Sequence, residues 1–179
     1  QIVFFTPSKY SDLVLIVDGK CLHVSKQILA HASPYFDILL FGKNFHESQL
    51  QSDEMAIDDV PFEEFLPVLQ LIYGTGKVHD KNVESVLRIA DRFTIPTVLI
   101  SAESWLMGRS EVPFHRQLLL SERYNMRDLQ TLLLRYSSPL EDDLPNSPSY
   151  VHYSEQLRQA LRDALVDERS WIEENEIME

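Results

Sequence analysis

Residues 11–48, which read SDLVLIVDGKCLHVSKQILAHASPYFDILLFGKNFHES, decide the fold of this 179-residue chain. Leu13, Leu15 and Val17 alternate with Val14 and Ile16, which places two apolar rows on opposite faces of a strand. The Asp-Gly pair that follows stands between two apolar runs and is typical of a two-residue hairpin turn. The sequence therefore opens with a predicted β-hairpin.

Two short apolar helices are predicted directly after the hairpin. Ser25 is placed to cap the first, and Ser33, with Pro34 at the first helical position, opens the second. Further along, Pro67 lies inside an apolar helical stretch, where it removes a backbone hydrogen bond. We expect Pro67 to start or kink that helix.

Several motifs follow one another in a fixed order along the chain. They are Ser11-Asp12-x-Val14-x-Ile16, Lys26-x-Ile28-Leu29, Ser33-Pro34-Tyr35-Phe36, Phe45-x-Glu47-Ser48, Asp58-Asp59-Val60, Phe65, Leu69, Ile72-Tyr73-Gly74-Thr75-Gly76 and Val86-Leu87-x-x-Ala90-Asp91-Arg92-Phe93. In that order they resemble a BTB/POZ domain of the kind found in nematode BTB proteins, including those with a MATH domain. The resemblance implies an α+β fold, in which a small mixed sheet packs against helices.

The chain divides into five predicted segments. The BTB-like part is preceded by a short arm and followed by helices that resemble a three-box or the beginning of a BACK region. A linker rich in Pro, Ser and acidic residues then leads to an acidic amphipathic helix. The boundaries are 1–10 for the arm, 11–107 for the BTB-like domain, 108–136 for the helical extension, 137–149 for the linker and 150–179 for the last helix.

Composition and charge exclude several classes of function. The net charge of -12 argues against binding to a nucleic-acid backbone, and 11 acidic residues against three arginines from Glu141 onward make the tail its most acidic part. No apolar run approaches the ~20 residues that cross a bilayer. The single cysteine, Cys21, has no disulfide partner within the chain, which favours the cytosol or nucleus. The start at Gln1 indicates a piece of a longer protein.

A loose internal repeat joins the BTB-like domain to its extension. Residues 87–98 and 118–129 each read as a helix end, an aromatic residue, a short break and a new helix. Two copies are too few for a solenoid. They indicate successive helix pairs stacked on one core.

The last helix has an apolar stripe that needs a surface to pack against. Its members are Leu157, Leu161, Leu165 and Ile172. The stripe can belong to an intramolecular strut, to a partner-binding segment or to a fused peptide. All three interpretations stay open from the residues alone.

No motif in the sequence supports catalysis, a cofactor or a metal. Gly74-Thr75-Gly76-Lys77 lacks the glycine spacing of a phosphate loop, and Val78 stands where that motif has Ser or Thr. The six histidines are not spaced as zinc ligands. Cys21 falls in an apolar strand, where we expect it to be buried and inert. The sequence predicts a protein that is not an enzyme.

Two charged residues and two motif residues carry the functional expectations of the resemblance. In BTB transcription factors an acidic residue and a basic residue fourteen positions later line a charged pocket at the dimer centre, and Asp12 and Lys26 keep that spacing. The simpler reading is an ion pair that braces the first strand against the first helix. In BTB adaptors that recruit cullin-3, an apolar residue fills a pocket of the cullin while a glutamate two positions later orders the loop, and Phe45 and Glu47 fit that pattern. The alternative is that Phe45 packs into its own core and Glu47 caps a turn.

The resemblance therefore predicts a protein-interaction adaptor. The first hypothesis is a substrate-recruiting subunit of a cullin-3 RING ubiquitin ligase that binds the cullin-3 amino-terminal domain through Phe45 and Glu47. The alternative is a homodimerising scaffold that binds a regulatory partner without a cullin. Because the usual exchanged helix is missing ahead of Ser11, a homodimer is expected to form through Ile28, Leu29 and Tyr35.

Overall fold

The computed structural model describes residues 4–42, 53–108, 110–135 and 150–163. The chain divides into two compact units, Gln1–Trp105 and Leu106–Glu179. The division falls close to the predicted end of the BTB-like segment at residue 107. In the described part of the chain, no helix combines the length and apolar character that a membrane span requires.

The first unit contains a three-stranded mixed sheet. Its strands are β1 (Leu13–Val17), β2 (Lys20–Val24) and β3 (Glu54–Ile57), in the order β2-β1-β3. β1 pairs antiparallel with β2 and parallel with β3. A small mixed sheet together with helices confirms the predicted α+β class.

The predicted hairpin forms at the Asp-Gly pair. Val17 pairs with Lys20, so the turn has two residues, and both Asp18 (φ 49°) and Gly19 (φ 72°) have positive φ. This is the type I′ geometry that suits the right-handed twist of two antiparallel strands. The inner face of the hairpin is buried and consists of Leu13, Leu15, Val17, Leu22 and Val24.

Five helices of the described residues begin in the first unit. They are α1 (Lys26–Ala32), α2 (Pro34–Phe41), α3 (Phe62–Ile72), α4 (Val83–Arg92) and α5 (Pro96–Gly108). α3 begins five residues ahead of Pro67 and continues past it. Pro67 therefore does not start the helix, and the other expected effect, a kink at Pro67, stays a prediction. The buried side chains Phe65, Val68 and Leu69 hold α3 against the core, and this packing outweighs the loss of one backbone hydrogen bond.

The predicted repeat corresponds to two helix ends with the same geometry. Thr94 (φ 51°) follows α4 and Asn125 (φ 52°) follows α6 (Phe114–Arg123). The residue after each one donates a backbone hydrogen bond of 2.8 Å to a carbonyl five positions back, Ile95 to Ala90 and Met126 to Ser121. Both copies therefore end a helix through a left-handed residue and start the next one at once.

The second unit consists of helices in its described part. α6 is followed by α7 (Arg127–Arg135), a 3-10 turn (Tyr150–His152) and a helical segment at residues 155–163. Its buried apolar side chains in that part are Leu106, Leu118, Leu120, Met126, Leu129, Leu133, Tyr153, Leu157 and Leu161.

Candidate interaction surfaces

Three large apolar side chains are exposed on helix α2 of the first unit. Tyr35, Ile38 and Phe41 are 43%, 60% and 46% exposed and recur at three-residue spacing; we call them the α2 apolar face. Residues three apart are neighbours on a helix. Apolar side chains grouped on a surface in this way mark contact sites for other proteins.

Tyr35 is held in place by aromatic contacts beneath the surface. Its ring meets Phe36 and Phe93 edge-on at centroid distances of 5.4 Å each, and Phe36 stacks on Phe93 at 5.3 Å with an interplanar angle of 13°. Edge-on and stacked pairs each add to the stability that area burial provides. Tyr35 is therefore a rigid aromatic anchor with nearly half of its surface free.

The predicted cullin-binding residues, Phe45 and Glu47, lie outside the described residues. The chain reaches them directly from α2, which ends at Phe41 with Gly42 as its cap, and the described part resumes at Asp53 ahead of β3. The α2 apolar face is thus contiguous in sequence with the predicted motif.

The predicted dimer residues do not share one environment. Ile28 is 39% exposed and Tyr35 is 43% exposed, but Leu29 is completely buried in the core of its own unit. Leu29 is the one buried residue of α1, and because successive side chains on a helix point in different directions, it faces the core while Ile28 faces outward. The contact through Ile28, Leu29 and Tyr35 stays a prediction, and Ile28 and Tyr35 are its exposed members.

The predicted charged pair is rearranged. Asp12 Oδ1 accepts a hydrogen bond of 2.7 Å from the backbone amide of Lys26, the first residue of α1, while Lys26 Nζ pairs with Asp53 Oδ1 at 3.0 Å. The Ser25 side chain makes no cap hydrogen bond. The carboxylate of Asp12 caps the helix instead, in the role that was predicted for Ser25. Asp12 does brace the strand against α1, but through the backbone.

The tyrosine Tyr73 completes this helix start. Its hydroxyl accepts a hydrogen bond of 2.7 Å from the amide of Ser25. Burial raises the pKa of the Tyr73 hydroxyl above its ordinary value; the Ser25 hydrogen bond opposes this and the Asp12 charge adds to it. Phe4, in the predicted arm, packs edge-on against Tyr73 at 5.0 Å and accepts a hydrogen bond from His23 N, so the arm joins the domain.

The apolar stripe of the last helix is divided by the limit of the described residues. Leu157 and Leu161 are 1% and 2% exposed within the second unit, whereas Leu165 and Ile172 lie outside the described residues. Burial of the first two favours the strut interpretation for that part of the stripe. On the exposed side Arg162 donates to Glu155 at 2.9 Å, and this hydrogen bond lowers the pKa of the Glu155 carboxyl.

The described ranges contain no cluster of residues that could form a metal site. No group of three or more His, Cys, Asp or Glu residues there could hold a metal ion. Cys21 is exposed, and the expectation that it is buried is wrong. Leu22 and Val24 occupy the inner face of β2, and the two-residue period of the strand turns Cys21 outward.

The sequence interpretation missed Ile38 and Phe41 as surface residues. A signal was present, because α2 reads PYFDILLF and has apolar residues around its whole circumference. A helix that is apolar on all sides is either buried or has a partner. Because the core takes Phe36 and Leu40, other apolar residues of this helix, including Ile38 and Phe41, are left exposed.

Comparison with known proteins gives consistent matches. Residues 3–110 match the sequence model of the BTB/POZ domain. The chain is 34% identical over 160 residues to BTB and MATH domain-containing protein 36 of Caenorhabditis elegans. The matched region covers 88% of this chain and 49% of the relative. It is 30% identical over 103 residues to Kelch-like protein 41b of Danio rerio. The matched region covers 57% of this chain and 17% of the relative.

A solved structure that matches is the BTB domain of human gigaxonin. The TM-score is 0.45 and the sequence identity 22%, with 54% of this chain and 78% of that chain covered. The chain spans about half the length, or less, of the curated relatives it matches.

Proposed function

This chain belongs to the BTB/POZ family of protein-interaction domains, and on that premise we propose that it is a non-enzymatic adaptor that recruits substrates to a cullin-3 RING ubiquitin ligase. In this proposal the chain acts in the cytosol or nucleus, where the assembled ligase ubiquitinates the recruited substrate. The substrate-binding part lies in the tail or in a further portion of the full-length protein.

The α2 apolar face is the observation that supports the proposal. It offers a rigid aromatic anchor and two further apolar side chains, and it leads along the chain into Phe45 and Glu47. A buried aromatic anchor contributes a large share of the affinity of a small interface. Phe45 would fill an apolar pocket of the cullin, while the α2 apolar face extends the contact.

A binding experiment with the cullin-3 amino-terminal domain tests the proposal. Size-exclusion chromatography of the mixture should give a complex with the wild-type chain and none with the Phe45→Ala/Glu47→Ala variant. Phe5→Ala/Glu63→Ala is a matched control, because it removes an exposed aromatic residue and an exposed carboxylate elsewhere on the first unit. Absence of a complex with the wild-type chain contradicts the proposal.

A second candidate, the homodimerising scaffold, is supported by the exposure of Ile28 and Tyr35. Light scattering should report a molar mass twice that of the single chain. The Ile28→Arg/Tyr35→Arg variant should have the molar mass of a monomer. A monomeric wild-type chain at high concentration would exclude this candidate.

A further inference from the structure

Within the described ranges, β3 pairs with β1 on one side and with no strand on the other. In the parallel register Val14 N donates to Asp53 O, and Met55 pairs with Leu15, so the backbone groups of Glu54 and Ala56 point away from β1. No backbone hydrogen bond between described residues uses those groups. An exposed strand edge of this kind can accept a further strand.

A groove of about 640 Å³ adjoins this edge at the carboxyl ends of β1 and β3. Its apolar lining comes from the outer face of the sheet and from the segment that leads into α3. Its polar lining is acidic. The apolar side includes Ile16, Ala56 and Val60, and the acidic side consists of Asp18, Asp58 and Asp59.

The groove carries negative charge that the described part of the chain does not neutralise by ion pairing. None of the three aspartate carboxylates forms a salt bridge or hydrogen bond there. The cations near this loop are used otherwise: Lys20 pairs with Glu63 at 3.0 Å, and Arg92 donates to the backbone carbonyls of Asp58 and Asp59 at 2.8 Å each.

The charge distribution argues against a second copy of the chain as the occupant. Pairing of two β3 edges would bring Glu54, Asp58 and Asp59 of one copy close to the same residues of the other. Like charges placed opposite each other destabilise strand pairing. An occupant with basic side chains has the opposite effect, because its charges fill the groove while its backbone pairs with β3.

We propose that the open edge of β3 and the adjoining groove bind an extended, lysine- or arginine-bearing segment of a partner protein. The backbone of the segment hydrogen-bonds to Glu54 and Ala56, and a basic side chain lies among the three aspartates. Apolar side chains at alternate positions contact Ile16 and Val60. This surface is separate from the α2 apolar face and requires no cullin.

Two variants of the full chain separate the backbone and charge contributions. Ala56→Pro removes an outward N–H that the sheet does not use, and proline is tolerated at such an edge position. Asp18→Asn/Asp58→Asn/Asp59→Asn removes the charge and keeps residue types that accept the positive φ of Asp18 and Asp59. Asp37→Asn/Asp91→Asn/Asp128→Asn is the control for a change of net charge.

The probe is an acetylated seven-residue peptide of alternating lysine and valine, titrated by fluorescence anisotropy. The wild-type chain and the charge control should bind it with equal affinity, and both edge variants should bind at least tenfold more weakly. Raising the salt concentration should weaken binding to the wild-type chain. Circular dichroism confirms that each variant is folded.

Three results overturn the proposal. The first is no binding of the basic peptide to the wild-type chain. The second is equal binding by the aspartate variant and the charge control, which would indicate only nonspecific attraction to an acidic protein. The third is concentration-dependent self-association that Ala56→Pro abolishes, which would assign the edge to a second copy.

Discussion

The Ser33 hydroxyl donates a hydrogen bond of 2.5 Å to the carbonyl oxygen of Phe93, which ties the start of α2 to the end of α4. The Ser33 hydroxyl oxygen also accepts a hydrogen bond of 3.1 Å from Phe36 N and so caps α2. Ser33 is completely buried. One hydroxyl thus supports the helix that carries the α2 apolar face and the aromatic contacts below it.

Ser33→Ala should destabilise the first unit by about 2–3 kcal/mol, because it removes a helix cap and leaves the buried Phe93 carbonyl without its donor. Urea denaturation followed by circular dichroism measures this. Ser101→Ala is the control, since its hydroxyl is exposed and bonds only within α5; we expect a change within about 0.5 kcal/mol. Equal effects of the two substitutions would contradict the assigned role.

Thr94→Asn should stabilise the first unit by about 0.5–1 kcal/mol. Thr94 is a β-branched residue at φ 51°, whereas asparagine occupies the equivalent position of the second copy at φ 52°. Asparagine tolerates the left-handed region better than threonine does. The reciprocal Asn125→Thr should destabilise the second unit, and thermal unfolding of both variants checks the pair. Opposite signs are expected, and shifts of the same sign would argue against this explanation.

A double-mutant cycle should show that the Asp12 and Lys26 side chains contribute independently to stability. Asp12→Ala should cost about 1 kcal/mol, because the backbone amide of Lys26 loses its acceptor. Lys26→Met should cost roughly 0.2–1 kcal/mol, since its partner Asp53 is largely exposed. The two costs should add within about 0.5 kcal/mol. A coupling energy well above that value would indicate that Asp12 and Lys26 form the side-chain ion pair predicted from the sequence.

Tyr73→Phe should lower stability at neutral pH by about 1–2 kcal/mol, because the Ser25 amide loses its acceptor. The pKa of Tyr73 is raised above 10.0 in the folded chain. Its contribution is therefore complete below that pH and is lost as the pH rises through the folded pKa. Urea midpoints measured from neutral pH upward should converge for wild type and variant above pH 10. A gap that widens instead would reverse the assigned direction.

Much of the first unit could be predicted because its determinants are local. The hairpin depends on the Asp-Gly turn and on alternation over five residues, and the repeat depends on short helix-ending segments. The continuous helix through Pro67 could not be predicted, because packing by distant core residues decides it.

The site residues were harder to predict because they depend on partners far along the chain. Lys26 turns to Asp53, 27 residues away, and its amide bonds to Asp12, 14 residues away. A spacing rule finds such residues but not the atoms that meet. Burial of Leu29 beside the exposed Ile28 likewise follows from the direction in which α1 packs.

The position of β1 between an early and a late partner bears on the synthesis of the chain. β2 is available as soon as the hairpin turn has left the ribosome, but β3 pairs with β1 residues about 40 positions earlier. Hairpins form in about 1–10 µs, whereas translation adds only ~5–20 residues per second. For seconds, therefore, the nascent chain exposes one side of its central strand, and we expect chaperones to act in that interval.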